Sequence, residues 1–234
     1  MRAAFTYLFR YYFRSYRYVA PLIVYMTAIV FIYGVVPNPV LSSYGFTSTV
    51  LFLAMAWLCF TYIDVEDRTQ QAITALHLGN ITKYYAAKMA VIALIGTALA
   101  LCTTVYPIVF DKFSAPPTAE QFIVGLVSHL LLSYLGISIS AMFTSKWFPK
   151  LNYSILGLFL VLSISLAGSG ITERMPDPFA FVTWLIPPTY RVMAMLNKDA
   201  DIDAQEALIA FSAVLIYVFA LQFIFIRWMK KRLF

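Results

Sequence analysis

Residues 64–88 read DVEDRTQQAITALHLGNITKYYAAK. They hold three acids (Asp64, Glu66, Asp67), Arg68, His77, Lys83 and Lys88. They separate two apolar runs, 46–63 and 88–110. A stretch this polar between runs this apolar sets the class of the fold, because the chain's polar residues are confined to short connectors. Over 234 residues it is 62% hydrophobic and 12% charged, with a mean hydropathy of +0.79. A soluble domain carries about 25% charge, so half the usual polar coat is missing.

A spanning helix needs about 20 apolar residues. Six runs approach or exceed that length: 18–36, 46–63, 88–110, 122–143, 151–167 and 207–226. The expectation is an all-α integral membrane protein with six transmembrane helices and a single transmembrane domain over 1–234. No large soluble domain fits in what remains. The first run is long and no small-residue cleavage site follows it, so a cleavable signal peptide is not expected.

The net charge of +6 could suggest nucleic acid, but its distribution reads as topology. With the N-terminus inside and six crossings, Lys112, Arg174, Arg191 and Lys198 fall outside and the other 13 of the 17 basic residues fall inside. That is the positive-inside bias. It predicts a multi-pass protein of the plasma membrane with both termini cytoplasmic and no nucleic-acid partner. Cys59 and Cys102 lie at different depths of different spans, so they are read as packing residues, neither a disulfide nor a metal site.

Residues 1–17 precede the first run. At 100° per residue Arg10, Arg14 and Arg17 share one sector, while Tyr12 and Tyr16 fall among the aromatic residues of another. This is the pattern of an amphipathic helix in the inner interface with its arginines towards anionic lipid. A plain basic-aromatic flank anchoring the first span is the alternative. Segment 168–205 contains an apolar patch broken by Pro187 and Pro188 and carrying Tyr190 and Arg191. A seventh crossing there would put the basic C-terminus outside, so an outer re-entrant helical hairpin is expected, buried against protein. The sixth span and a basic cytoplasmic tail follow over 206–234.

In the fourth run Gly125, His129, Ser133, Gly136 and Ser140 fall within an arc of about 80°. Ser154, Gly157, Ser165 and Gly168 form a similar stripe in the fifth. Such stripes are packing seams or line a path. His129, the one ionisable group near the middle of a span, is either a proton-relay candidate or a neutral histidine bonded to a neighbouring serine. No phosphate-binding loop, metal-ligand spacing or nucleophile elbow occurs. Nothing supports an enzyme, a cofactor or a metal in this chain, and energy for any transport must come from a partner.

Within 64–88, acids at the start suit a helix N-terminus. Residues 69–78 lack Gly and Pro, and Gly79-Asn80 forms a stop. The segment is either a short polar helix, 64–80 with its caps, held below the membrane, or a solvated loop.

Taken in order, the amphipathic N-terminal helix, six spans, the 64–88 insert with Tyr84 or Tyr85 and Lys88 at its re-entry, and LIPPTYRVMAML at 185–196 resemble the permease subunit of type-2 ABC exporters. Where many members have a Pro-containing turn after the coupling helix, this chain has Gly79-Asn80. The resemblance implies a coupling helix in which Asp64, Glu66, Asp67, Arg68, Gln71, Leu76, His77 and Leu78 engage a cytoplasmic ABC ATPase. It implies two ATPase copies holding ATP and Mg, and a second permease copy or a sister permease. It also implies outward transport of a peptide, drug or lipid. A second reading of the same residues is a non-transporting membrane scaffold, sensor or immunity subunit that needs no ATPase.

Overall fold

The computed structural model describes residues 2–148, 150–197 and 202–232. It is all-helical, with no strand among the described residues. In chain order the α-helices are α1 (Arg2–Ser15), α2 (Val19–Ile32), α3 (Val40–Ile63), α4 (Arg68–His77), α5 (Ile81–Val109), α6 (Ala119–Ala141), α7 (Leu151–Leu166), α8 (Gly168–Arg174), α9 (Thr189–Leu196) and α10 (Ala204–Arg232). A 3-10 stretch, Asp177–Leu185, lies between α8 and α9.

Four helices, α3, α5, α6 and α10, are each long and apolar enough to cross a membrane. Two bent pairs raise the number of candidate spans to six: α1 with α2, at 78°, and α7 with α8, at 62°. The 14 residues of α2 rise only about 21 Å at 1.5 Å each, short of a hydrocarbon core of about 30 Å. The run expected over 18–36 thus ends early, at Ile32, before the turn that leads to Pro37.

Caps set the other boundaries. The Thr118 hydroxyl accepts from the Gln121 amide at 3.2 Å, and the Gln121 side chain accepts from the Thr118 amide at 3.0 Å. This capping box starts α6 three residues before the apolar run. Asn80 accepts from the Lys83 amide at 3.2 Å, so α5 begins at Ile81 rather than at Lys88. At the C-terminus α10 runs unbroken to Arg232, and the basic tail is part of that helix.

The core is organised around α3, which touches α2, α5, α6 and α9. Its closest partner is α6, and the small stripe faces that seam. A Cβ on Gly136 would overlap the Phe52 carbonyl oxygen, and one on Gly125 would enter the Tyr44 ring. Small residues bring the helices together where dispersion does the holding.

Contacts sort the connectors to two ends of the bundle. At one end, α1 packs Ala4, Leu8 and Tyr12 into a core cluster with Leu58, Tyr62 and Tyr84. The 64–88 insert, the α6–α7 turn and the end of α10 share it: Trp147 packs at a tilt against Trp228 with ring centres 4.2 Å apart. At the far end, Asn38 and the 112–114 turn bond through Asn38 N to Lys112 O at 3.1 Å and Ser114 N to Asn38 O at 2.9 Å. There α8, the 3-10 stretch and α9 cover α3, α7 and α10.

Replacing Gly136 by Ala should destabilise the protein by about 1–3 kcal/mol, the usual range for overpacking a rigid contact. Gly170→Ala, whose Cβ would meet nothing within 4 Å, should leave stability unchanged or raise it slightly. Thermal melting in detergent distinguishes the two.

Candidate functional site

The 64–88 insert folds as a short helix clamped between the ends of two long ones. Asp67 supplies the N-cap of α4, accepting from the Gln70 amide at 2.9 Å. At the other end Gly79 takes a φ of +61°, a left-handed conformation that glycine adopts without strain. The connector to α5 can therefore be three residues long, Leu78 to Asn80, and α4 cannot swing far from it.

Beneath α4 lies a buried ion pair. Lys88 Nζ is 3.1 Å from a Glu66 carboxylate oxygen, and both side chains are fully shielded from solvent. The Tyr84 hydroxyl donates to the same carboxylate, and Thr74 donates to its other oxygen at 3.5 Å. Lys88 also donates to the Ile63 carbonyl at 2.8 Å, which places a cation at the C-terminus of α3, where helix carbonyls lack partners. The ammonium lies 5.2 Å and 5.9 Å from the Tyr84 and Tyr62 ring centres, within cation–π range. Burying two charges costs several kcal/mol each unless geometry and added hydrogen bonds compensate, and here both partners have them.

The remaining contacts tie the insert to its neighbours. Asp64 accepts from the Thr144 hydroxyl at 2.9 Å and the Ser145 amide at 2.6 Å, which fastens it to the α6–α7 turn. Lys146 donates to the Tyr85 hydroxyl at 2.5 Å, and burial, with Lys88 close by, pushes its ammonium down to about 8. Gln71 donates to the Glu66 carbonyl at 3.0 Å.

These positions divide the expected coupling set into buried and exposed members. Glu66 and Gln71 are buried, Asp64 faces the α6–α7 turn, and Leu78 packs partly against the core. Asp67, Arg68, Leu76 and His77 are exposed, with Thr69 and Ile73 beside them. Leu76 is 65% exposed, unusual for a leucine on a polar helix. It borders a cavity of about 520 Å³ lined also by Ala72, Ala75, Asn80 and Lys230. An acid next to a span reads as a surface group. Here the signal was Lys88, an amine within an apolar run that needs a carboxylate.

Other expected residues fall as follows. Arg10, Arg14, Arg17 and Tyr16 are exposed. Tyr12 is not at an interface: it is fully buried and its hydroxyl donates to the Leu58 carbonyl at 3.1 Å. His129 bonds to a threonine instead of a serine. Its Nε2 lies 3.0 Å from the Thr47 hydroxyl and its Nδ1 2.7 Å from the Gly125 carbonyl. Ser133 donates to the Leu130 carbonyl at 2.8 Å, and both Ser133 and Ser140 are buried in the helix seam. Cys59 is buried, but Cys102 is exposed on its helix rather than packed. Pro187, Pro188 and Tyr190 are buried and Arg191 half-buried, with Ser165 bonded to Thr189 at 2.7 Å. Lys198 lies outside the described residues. Lys88, Tyr84, Tyr62 and the Asn80 cap are the site residues that sequence reasoning left out of the coupling set.

Compared with protein-family models, curated proteins and solved structures, the chain matches none of them.

Lys88→Met should cost about 3–5 kcal/mol, because it strands a buried carboxylate. Adding Glu66→Gln should recover most of that loss. Melting of the single and double variants in detergent measures the coupling; equal losses for both would show that the pair is not the source of the stability.

Proposed function

We propose that the chain is the transmembrane permease subunit of an ATP-driven exporter of the type-2 ABC class. The observation that carries this reading is α4: a ten-residue polar helix, clamped by a buried ion pair, that exposes Arg68, Ile73, Leu76 and His77 beyond the ends of two long apolar helices. A helix so held transmits a push instead of absorbing it. In this reading α4 is the coupling helix on which a cytoplasmic ABC ATPase bears, present in two copies and binding ATP and Mg. The chain itself holds no cofactor and catalyses nothing, and it pairs with a second permease copy or a sister permease.

The orientation that goes with it puts both termini and α4 in the cytoplasm of a plasma-membrane protein. The bent pair α1–α2 then becomes an interfacial elbow, with Arg10, Arg14 and Arg17 towards lipid, and a first span in which the flanking turn residues make up the length that α2 alone lacks. The far-end pieces α8, 3-10 and α9 become the re-entrant element before a sixth span, α10. The positive-inside distribution supports this orientation. So does the grouping of α1, the α6–α7 turn and the end of α10 at the α4 end.

A cleft of about 430 Å³ between α3 and α7 is lined by Leu53, Trp57, Phe60, Leu158, Phe159 and Leu162. A wall this apolar suits a hydrophobic or amphipathic molecule, such as a peptide, drug or lipid, and not a sugar or an ion. Transport would follow from ATP-driven closure of the ATPases displacing α4, and with it the α3 and α5 ends.

The test uses residues clear of the ion pair. Arg68→Glu with Leu76→Asp should leave melting within about 0.5 kcal/mol of wild type, as exposed changes do. The same variant should abolish co-purification of the cytoplasmic ABC ATPase recovered with the full-length chain. Failure of any ATPase to co-purify with wild type would overturn the reading, as would undiminished association of the variant.

A further inference from the structure

We propose that the end of the bundle opposite α4 binds one zwitterionic phospholipid, its phosphate on Arg191, its ammonium towards Glu173, and one acyl chain in a groove along α10. Two adjoining cavities of different character share Arg191 and Thr183. The larger, about 480 Å³, is mixed, with Ser169, Thr172 and Glu173 in its wall beside Met175 and Ile209. The smaller, about 240 Å³, is apolar, with Trp184, Ile186, Ala213, Ile216 and Ala220.

Arg191 links them, and its state points to an anion. The side chain is half-buried. Its guanidinium carbon lies 4.7 Å from the Trp184 ring centre and 5.5 Å from that of Tyr190, and Nε donates to the Tyr190 hydroxyl at 3.2 Å. Among the described residues no carboxylate lies within 4.0 Å of it. A guanidinium held against aromatic rings keeps its planar edge for ligands, and that edge matches phosphate oxygens two at a time. Removing a cation from water without an anion is unfavourable.

The groove gives the ligand its second half. Along α10, Ala213 and Ala220 leave a trough that longer side chains would fill, and the flanking Trp184 and Ile216 are exposed. From Ala213 to Ala220 the groove rises about 10 Å along the helix, which seats the upper part of an acyl chain in a leaflet whose hydrocarbon depth is about 15 Å. Trp184 and Tyr190 sit at the junction of head and tail, as aromatic residues do at membrane interfaces. A carboxylate matches the head's second charge: Glu173 lines the same pocket as Arg191. An ammonium beside the phosphate is attracted by it, whereas a purely anionic head is repelled. The site involves neither α4 nor an ATPase, so it stands or falls independently of the transport reading.

The experiment is native mass spectrometry of the delipidated full-length chain, titrated with dioleoyl phosphatidylethanolamine, dioleoyl phosphatidylglycerol, glycerophosphoethanolamine and inorganic phosphate. One phosphatidylethanolamine should bind per chain, ahead of phosphatidylglycerol. Arg191→Gln should weaken it about tenfold, the loss expected for hydrogen bonds to a charged group. Glu173→Gln should narrow the preference over phosphatidylglycerol while total lipid binding stays. Ala213→Phe, on the flank of α10, should weaken binding through the groove while leaving the arginine in place, so the proposal does not depend on Arg191→Gln remaining folded. Equal binding of phosphatidylglycerol by wild type would overturn the zwitterion assignment. Equal binding of the tail-less head or of inorganic phosphate would overturn the groove. Unchanged affinity in both Arg191→Gln and Ala213→Phe would overturn the site.

Discussion

The pairing of Lys88 with Glu66 is the interaction on which the insert end depends. One amine holds the last turn of α3 through the Ile63 carbonyl, the start of the insert through Glu66, and the first turns of α5 through its own backbone. Tyr84 and Tyr62 complete the enclosure. In a low-dielectric surround neither charge is tolerable alone, and together they have one geometry that satisfies both. That requirement, more than helix propensity, fixes where α4 lies; a ten-residue helix is too short to be stable by itself in water.

The rest of the bundle supports that clamp from a distance. The α3–α6 seam brings backbones close at Gly136 and seats the Tyr44 ring on Gly125, and His129 bridges it to Thr47. Because α3 also contacts α5 and α9, it runs from the clamp at one end to the α8–α9 cover at the other. A displacement of α4 therefore bears first on α3 and α5, the two helices that its connectors join. The α6–α7 turn shares the load through Asp64.

Much of this was legible before any coordinates. Apolar runs located the long helices, and the Gly79-Asn80 stop and the acids before Arg68 located α4. The bend before α2 followed from the basic-aromatic segment ahead of the first run. What escaped were relations between positions far apart in the chain. Glu66 reads as a surface acid because the run ends at Ile63, and only its proximity to Lys88, 22 positions on, removes it from solvent. Tyr12 has the spacing of an interfacial aromatic, yet it meets Leu58 and Thr61. Asn80, chosen as a stop for one helix, is also the start of the next. The junction of two cavities at Arg191 had only a weak signal, a lone arginine within an apolar patch.

Hydrogen–deuterium exchange across residues 64–88 of the full-length chain in detergent tests the central claim, that α4 is a rigid extension of α3 and α5. The amides of α4 should exchange as slowly as those at the adjoining ends of α3 and α5, and Lys88→Met should release all three together as one cooperative unit. Fast exchange of α4 in the wild-type protein, with the ends of α3 and α5 still protected, would show a loose loop and contradict the account.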